Sequence, residues 1–385
     1  MVTKPMTNTV ELARELAQNG IAANAAKTDS TASFPEASIK ALGESGLLGL
    51  MVPKAHGGKE ATIREFVDTV SEIAASCAST GMIFVMHCCA THVIKNTLGD
   101  AAAAPTLRDI AAGKHLTTLA CSERGTGTHF YASHSTSKKE DGKYLLSGEK
   151  CFVTSARYAD SYVLSTQAAE NGGPLATSFY LVEKSDKGYE FQGDWNGLGL
   201  RGNESCVLKL NNCAVPADRV LGEEGAGVGF AIATILPLFL IGTAAVYTGI
   251  ARAAYEASCA HVKDRHHKHT GDALADLQTI RRSIADMKVS VHSTKAFIAS
   301  IADIFDESPE TPDLLIQLME AKLLSTKTVK EVTMSAMQVC GGIAYSGALP
   351  VERYMRDGLA GSVMAPTSDV LADLIGKAAL GQPLM

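Results

Sequence analysis

The sequence of 385 residues lacks the features of a nucleic-acid-binding, metal-binding or exported protein. Its formal net charge is −6, and no basic stripe with interleaved aromatic residues is present, which excludes a typical nucleic-acid-binding surface. None of its nine cysteines forms a C-x-x-C pair or has the Cys/His spacing of a zinc site. We therefore expect buried, reduced thiols in a cytoplasmic protein, and no metal site.

Charged residues are missing from one long segment, residues 225–251. Its length alone would allow it to cross a bilayer. However, it contains Pro237 and several glycines, and it lacks the basic flanks and aromatic belt of a membrane span. We predict a helix that is buried on all sides, in the protein interior or at a subunit interface, without membrane insertion. The polar N-terminal segment also lacks the apolar core of a signal peptide.

The hydrophobic periodicity changes twice along the chain. Residues 1–115 show the helical spacing of about 3.6, and residues 116–225 contain short runs of β-branched and aromatic residues separated by turn signals. Helical spacing returns in residues 226–385, in segments long enough for an antiparallel bundle. The sequence therefore predicts an α+β protein with three domains, which are helical, β and helical in order.

Two short stretches of the β region could hold a ligand. The loop "SERGTGTH", residues 122–129, has hydroxyl side chains and glycines that let backbone N–H groups approach a ligand, although a plain hairpin loop would have the same composition. In "CFVTS", alternation puts Phe152 and Thr154 on one face of a strand. Such a pair can stack against and hydrogen-bond a planar heterocycle, or simply belong to the core.

Helix starts and one histidine-rich loop complete the candidate positions. The residues Ser33–Glu36 and Thr367–Asp369 are typical of helix N-termini. The second start precedes the last apolar helix, and its free N–H groups and positive dipole end suit an anion or a polar ligand. In the histidine-rich loop "DRHHKHTGD" no carboxylate or cysteine is spaced to complete a metal site, so we expect a solvated helix end or an anion contact there.

Taken in order, five motifs of this sequence resemble those of the acyl-CoA dehydrogenase superfamily of flavoproteins. They are "ACSERGTGTH", "GEKCFVTSARYAD", "LGLRGNESCVLKLNNCAVPADRVLG", "VKDR…ADLQTIRRSIADM" and "QVCGGIAYSGALPVERYMRD". The resemblance spans nearly the whole chain. It implies an N-terminal α-helical domain, a central β-barrel and a C-terminal four-helix bundle, which agrees with the periodicity.

The resemblance also implies that the protein binds FAD. It places one group of residues along the flavin, with Phe152 against the ring and Thr154 near its N5, and a second group on the cofactor of a neighbouring subunit. The last helix start would contact FAD as well. The implied cofactor-binding residues are Cys121, Ser122, Gly127, Thr128, Phe152, Thr154, Arg265, Gln278, Gln338, Gly341, Gly342, Thr367 and Asp369.

The substrate side of the resemblance is altered. Family members remove an α-proton with a carboxylate that commonly lies two residues before the threonine matching Thr367, where this sequence has Ala365. At the usual alternative position, Phe239 and Leu240 replace the acid and its neighbouring arginine. Two further differences lie in the first flavin loop, where Arg124 replaces the usual proline and His129 the usual aspartate.

Three functions remain open at this point. The first is α,β-dehydrogenation of an acyl thioester, on CoA or a carrier protein, with His87, His129 or Asp369 as a non-standard base. The second is other flavin chemistry on the same fold, such as monooxygenation, desulfination or cyclisation. The third is a non-catalytic partner subunit. The resemblance further implies a homodimer or homotetramer, and either a protein or oxygen as electron acceptor.

Overall fold

The computed structural model describes residues 8–170 and 172–384, and its N-terminal region is helical. The helix α4 begins with a capping box in which Thr62 Oγ1 accepts the Glu65 N–H and Glu65 Oε2 accepts the Thr62 N–H. The six helices of this region are α1 (Asn8–Leu16), α2 (Ala22–Thr31), α3 (Glu36–Glu44), α4 (Ile63–Ser76), α5 (Ala78–Thr97) and α6 (Asp100–Ala111).

The helix start predicted at Ser33–Glu36 is confirmed, but Ser33 does not cap it. The helix α3 begins at Glu36, the residue before it is Pro35, and no side chain caps its free N–H groups. The Ser33 hydroxyl is instead hydrogen-bonded to Thr31 Oγ1 at 2.7 Å. A local hydroxyl partner has therefore replaced the helix N-terminus as the partner of this side chain.

The predicted barrel region consists of two four-stranded sheets that share one core. One sheet has the order β1-β4-β5-β8, with β1 parallel to β4, and the other has the antiparallel order β2-β3-β7-β6. Tyr162 and Tyr180 from the first sheet and Leu146 and Leu208 from the second are buried together between them. The strands are β1 (Thr117–Ala120), β2 (Thr136–Glu140), β3 (Lys143–Val153), β4 (Ser161–Gln167), β5 (Thr177–Glu183), β6 (Tyr189–Gln192), β7 (Cys206–Pro216) and β8 (Val220–Leu221).

The C-terminal region is a helical bundle whose central member is the uncharged segment seen in the sequence. The helix α8 packs against α10, α9 and α12, and also against α4 of the N-terminal region. The helices are α7 (Gly227–Phe230), α8 (Leu236–Asp264), α9 (Gln278–Glu307), α10 (Leu314–Cys340), α11 (Gly342–Tyr345), α12 (Val351–Val363) and α13 (Ser368–Ala379). The predicted start of the last helix at Thr367 is confirmed, since α13 follows it directly.

Within the described residues, one helical segment, Gly227–Asp264, is long and apolar enough to cross a membrane by composition. In the structure its central residues, from Leu240 to Ala251, are buried against neighbouring helices. Gly249 shows how close this packing is, because a Cβ there would lie 2.5 Å from the Ser71 carbonyl oxygen. The apolar character of α8 is therefore used in helix–helix packing.

The two helical regions form one continuous core. Phe66 and Val70 of α4 belong to the same buried cluster as Tyr247 of α8 and Val329 of α10. The connections between the predicted domains are short. One runs from the end of α6 at Ala111 to the start of β1 at Thr117, and the other from the end of β8 at Leu221 to the start of α7 at Gly227. We retain the division into residues 1–115, 116–225 and 226–385 as a proposal about sequence organisation.

Candidate active site

A cavity of about 590 Å³ lies where the sheets meet the helices α5, α8 and α12. Its volume is within the range of small-molecule and cofactor sites. Most of its wall is apolar. The lining residues are Met86, Leu119, Cys121, Ser122, Glu123, Arg124, Gly127, Phe130, Cys151, Phe152, Thr154, Trp195, Gly197, Leu198, Gly199, Leu200, Asn203, Ser205, Ile235, Leu236, Phe239, Arg356, Leu359, Ala360, Val363, Met364 and Ala365.

The loop after β1 contributes predicted cofactor residues to this wall. Cys121, Ser122 and Gly127 all line the cavity. Gly127 has a φ of 57°, and a Cβ built on it would have no atom within 4 Å, so the backbone is open to a ligand at that position. Thr128 Oγ1 accepts the N–H of Thr367 at 3.3 Å, which joins the loop to the start of α13.

Phe152 and Thr154 also face the cavity, but simple strand alternation is not the reason. The pairing of β3 with β7 shifts register between Lys150 and Val153, and Phe152 has a φ of 55°. Phe152 is 66% exposed on the cavity wall, edge-on to Trp195 with ring centroids 6.4 Å apart. The Thr154 hydroxyl is buried and lies 3.3 Å from Ser205 Oγ.

Sequence reasoning missed a buried ion pair directly behind this loop. Lys150 Nζ lies 2.6 Å from Glu123 Oε1, and the two side chains are 0% and 5% exposed. The carboxylate also accepts the Ser133 hydroxyl and the backbone N–H groups of His134 and Ser135. Burial raises the pKa of Glu123, but the Lys150 ammonium and these donors outweigh it and hold the pKa at about 2. No local pattern singled the pair out, because Glu123 lies in a loop beside Arg124 and Lys150 lies in β3 beside Glu149.

The two usual positions of the catalytic carboxylate lie in the cavity wall without a carboxylate. Ala365 and Phe239 both line the cavity, and Leu240 is fully buried in the helical core. Of the described residues, the only acidic side chain in the lining is Glu123, whose oxygens are engaged by Lys150 and by hydrogen-bond donors. The wall therefore holds no free carboxylate or histidine where the structure describes it.

The three candidate bases occupy different environments. His87 is buried away from the cavity, with Nε2 2.9 Å from the Leu48 carbonyl oxygen and Nδ1 accepting the Thr117 N–H. Burial lowers the pKa of His87 to about 4, which makes it a weak proton acceptor. Its position away from the cavity also disfavours a role as the base that acts on a substrate. His129 and Asp369 are exposed, on the two segments that the Thr128–Thr367 bond joins at the cavity edge.

Arg124 adds a cation to the cavity rim. Its side chain is exposed, its Nε lies 3.6 Å from Glu149 Oε1, and the residue lines the cavity. An exposed pair of this kind contributes little to stability. The substitution of the usual proline therefore changes the charge at the rim.

The remaining predicted cofactor residues lie at one end of the helical bundle. The antiparallel course of α8, α9 and α10 brings the end of α8, the start of α9 and the end of α10 together, as the Cys340 Sγ contact with Ser258 Oγ shows. These five residues are all exposed, and none of them lines the cavity. They are Arg265, Gln278, Gln338, Gly341 and Gly342.

The cavity residues fit a flavin. Phe152 exposes a ring for stacking, Gly127 leaves its backbone open, and the Thr154 and Ser205 hydroxyls offer hydrogen bonds. Asn203, 2% exposed, lines the same region with a buried Oδ1 that has no partner within the described residues. Hydroxyls and an unpaired amide oxygen beside an exposed aromatic ring match the polar edge and flat face of an isoalloxazine.

Comparison with known proteins agrees with this geometry. Sequence models of the acyl-CoA dehydrogenase N-terminal, middle and C-terminal domains match residues 6–114, 118–213 and 225–380. The short-chain-specific acyl-CoA dehydrogenase of Clostridium acetobutylicum is 29% identical over 362 residues, which cover 94% of this chain and 94% of that protein. An acyl-CoA dehydrogenase of Bacillus subtilis is 29% identical over 384 residues, which cover 99% of each.

A solved structure supports the same fold. Butyryl-CoA dehydrogenase from Megasphaera elsdenii matches with a TM-score of 0.92 at 24% identity, covering 98% of this chain and 100% of that chain. The three domain matches follow one another along almost the entire chain. The chain therefore belongs to the acyl-CoA dehydrogenase family and is an FAD-dependent oxidoreductase of that type.

Proposed function

We propose that the protein oxidises a saturated acyl thioester, carried by CoA or by a carrier protein, to the α,β-unsaturated thioester with a base other than glutamate. One observation carries this proposal: an apolar cavity runs from Phe152 and Thr154 to the turn that contains Ala365. An acyl chain bound there would lie between the residues that fit a flavin and the position from which family members remove the α-proton.

Different residues of the chain would bind the flavin and the acyl group. Bound FAD supplies a two-electron acceptor. Phe152 and Thr154 orient the flavin ring, while Met86, Leu236 and Phe239 form an apolar wall that holds the acyl group and excludes water. The proton from the α-carbon must go to a group that Ala365 does not provide.

We place that proton acceptor at the cavity edge, at His129 or Asp369. Both are exposed, and the Thr128–Thr367 hydrogen bond holds their segments together. Replacing each with asparagine separates them, since asparagine is similar in size but is a much weaker base. The variant that lacks the true base should bind the thioester normally and lose about 10²- to 10⁴-fold in flavin reduction.

A second function has its own support. Because the described cavity wall has no free carboxylate or histidine, chemistry that removes no α-proton would need no further residue. Oxygen activation, as in a flavin monooxygenase, is of this type. Such an enzyme would consume oxygen and require a separate reductase.

Anaerobic titration with a panel of saturated acyl thioesters tests the main proposal. We expect at least one thioester to bleach the flavin absorbance band, because proton and hydride both leave the substrate. A flavin that stays oxidised through the panel, although ligand binding perturbs its spectrum, would contradict dehydrogenation. Oxygen consumption with a reductase, or co-purification with a second chain that bears the glutamate, would then decide between the alternatives.

We also propose a cytoplasmic homo-oligomer, dimer or tetramer, that passes electrons to a protein or to oxygen. Its nine thiols are free, and α8 packs in the interior. The bundle end that carries Gln338 has apolar side chains on its surface, including Met334 at 55% and Tyr345 at 85% exposure. Covering them with a second copy would bring the remote cofactor residues to that copy's flavin.

Thr154→Val tests the placement of the flavin. Valine keeps the shape but removes the hydroxyl, so FAD should bind about 2- to 12-fold more weakly, the range for one lost hydrogen bond. Fluorescence titration of the apoprotein with FAD measures it. Thr118→Val is the matched control, because the Thr118 hydroxyl is buried, has no partner among the described residues and lies outside the cavity lining. Equal FAD affinity and spectra in both variants would contradict this placement.

A further inference from the structure

One buried lysine lies next to the part of the cavity wall that contains Ala365 and Phe239. Lys322 lies on α10 with a fully buried side chain. Its Nζ donates to the carbonyl oxygens of Met364 and Pro366, at 2.7 Å in each case. The same Nζ is 5.6 Å from the ring centroid of Phe239. Ala365 and Phe239, the two positions where family members carry an acid, thus both adjoin this one side chain.

The turn between α12 and α13 depends on an outside donor. The helix α12 ends at Val363 and α13 begins at Ser368, so the carbonyls of Met364 and Pro366 fall outside both helical hydrogen-bond ladders. Pro366 has no N–H of its own. Lys322 reaches across from α10 and donates to both carbonyls; the Pro366 carbonyl is buried and the Met364 carbonyl is partly buried, so losing their donor would carry a cost.

The lysine can hold the turn in either protonation state. Burial lowers the pKa of Lys322 to about 7, and both the ammonium and the neutral amine carry at least two N–H donors. This shift is caused by burial of the amine rather than by a neighbouring acid. The contacts therefore serve the backbone of the turn rather than an ion pair.

The turn between α12 and α13 also contacts the predicted flavin loop. Ala365 lines the cavity, and two residues later the Thr367 N–H bonds Thr128 Oγ1. A displacement of the 364–366 backbone would therefore move both the cavity wall and the junction between α13 and the first flavin loop. Such junctions matter because shifts of about 1 Å can strongly weaken binding or catalysis.

We propose that Lys322 is the positioning residue of the flavin-facing turn, holding the carbonyls of Met364 and Pro366 so that Ala365 and Thr367 keep their places at the cavity. This inference rests on the proposed flavin placement, but not on the substrate. It is tested without any thioester, so it can fail or succeed independently of the dehydrogenation proposal.

The test compares Lys322→Met, Lys322→Arg and the control Lys327→Met in the full-length protein. Methionine fills the space without a donor, arginine keeps donors, and Lys327 is exposed on the same helix. FAD affinity is measured by fluorescence titration, and the flavin environment by visible circular dichroism. We expect Lys322→Met to weaken FAD binding by about tenfold and to change the flavin dichroism, as for loss of one well-placed hydrogen bond. Lys322→Arg should recover most of both, and Lys327→Met should match the unmodified protein.

Two results would overturn the proposal. One is Lys322→Met folding with unchanged FAD affinity and dichroism; the other is an arginine variant that folds but shows the full methionine defect. If the methionine variant fails to fold, Lys322→Gln replaces it, because the glutamine side chain is polar but one atom shorter, so its nitrogen does not reach the position from which Nζ bonds both carbonyls. Unchanged flavin affinity and dichroism in the glutamine variant would then overturn the proposal as well.

Discussion

Ala365→Glu is expected to restore flavin reduction by a saturated acyl thioester by about 10²- to 10⁴-fold in the His129→Asn or Asp369→Asn variant that has lost the proton acceptor, because that is the usual contribution of one positioned general base. Ala365 already lines the cavity, so the new carboxylate would extend from the wall that faces the proposed acyl site. Lys322 Nζ, bonded to the carbonyls on either side, would favour the ionised carboxylate, which is the form that accepts a proton. Anaerobic stopped-flow absorbance of the flavin band measures the rate.

Ala365→Gln is the matched control for this gain. Glutamine has nearly the same size and polarity but cannot accept the proton, so in the same asparagine variant its rate should stay at the level of that variant. A glutamate variant that binds the thioester, as judged by a perturbed flavin spectrum, yet reduces no faster than the glutamine variant would contradict the proposed orientation of the acyl chain. The second function, without α-proton removal, would then be favoured.

Lys150→Met is expected to lower the free energy of unfolding by about 3–5 kcal/mol, because it leaves the Glu123 carboxylate buried without its cation. The loop that carries Ser122 and Gly127 should lose its anchor at the same time, so FAD binding should weaken. Chemical denaturation gives the stability change, and FAD titration gives the loss of affinity. A change below about 1 kcal/mol would contradict the structural importance of the pair.

The pH dependence of this loss follows from the pKa of Glu123. In the unmodified protein the pKa is held at about 2, below the ordinary value of 4.5, so the carboxylate stabilises the fold above pH 4.5 and this is lost as the pH falls toward 2. In Lys150→Met the burial remains and the cation is gone, which raises the pKa of Glu123 above its ordinary value. The difference in stability between the two proteins should therefore be larger at pH 8 than at pH 4.

Two further variants separate the ion pair from general effects of the substitution. Lys138→Met removes an exposed lysine that pairs with Glu140 on β2, and it should change stability by no more than about 0.5 kcal/mol. Glu123→Gln combined with Lys150→Met removes both charges but keeps an acceptor for the Ser133 hydroxyl. The double variant should recover part of the stability, since no unpaired charge is left buried.

Much of the candidate site could be predicted from motifs, because short local patterns carry it. Gly127 is predicted as a loop glycine that lets backbone N–H groups approach a ligand, and Phe152 as an aromatic residue on a ligand-binding strand face. The structure brings both to one cavity. The reason for the position of Phe152 was not predicted. Alternation assumes a regular strand, whereas a register shift and a positive φ turn this residue toward the cavity.

Contacts between distant segments could not be predicted. Glu123 and Lys150 are 27 residues apart and pair across the sheet region. Lys322 is more than 40 residues from the turn that it holds. In the sequence, Lys322 resembles the other lysines of its helix, and only the packing of α10 against the turn removes it from water. His87 illustrates the opposite case, since its sequence position left a role as base open until the structure placed both ring nitrogens in the core.

The sequence by itself determined the order of helical, β and helical regions, the family, the cofactor and the absence of glutamate at position 365, because these depend on residue identity and local periodicity. The tertiary structure decided which polar groups meet. It paired Lys150 with Glu123, left Ala365 and Phe239 beside one lysine, and joined the segments that carry His129 and Asp369. Such meetings depend on how helices and sheets pack over long sequence separations, and local propensity contains no information about that packing.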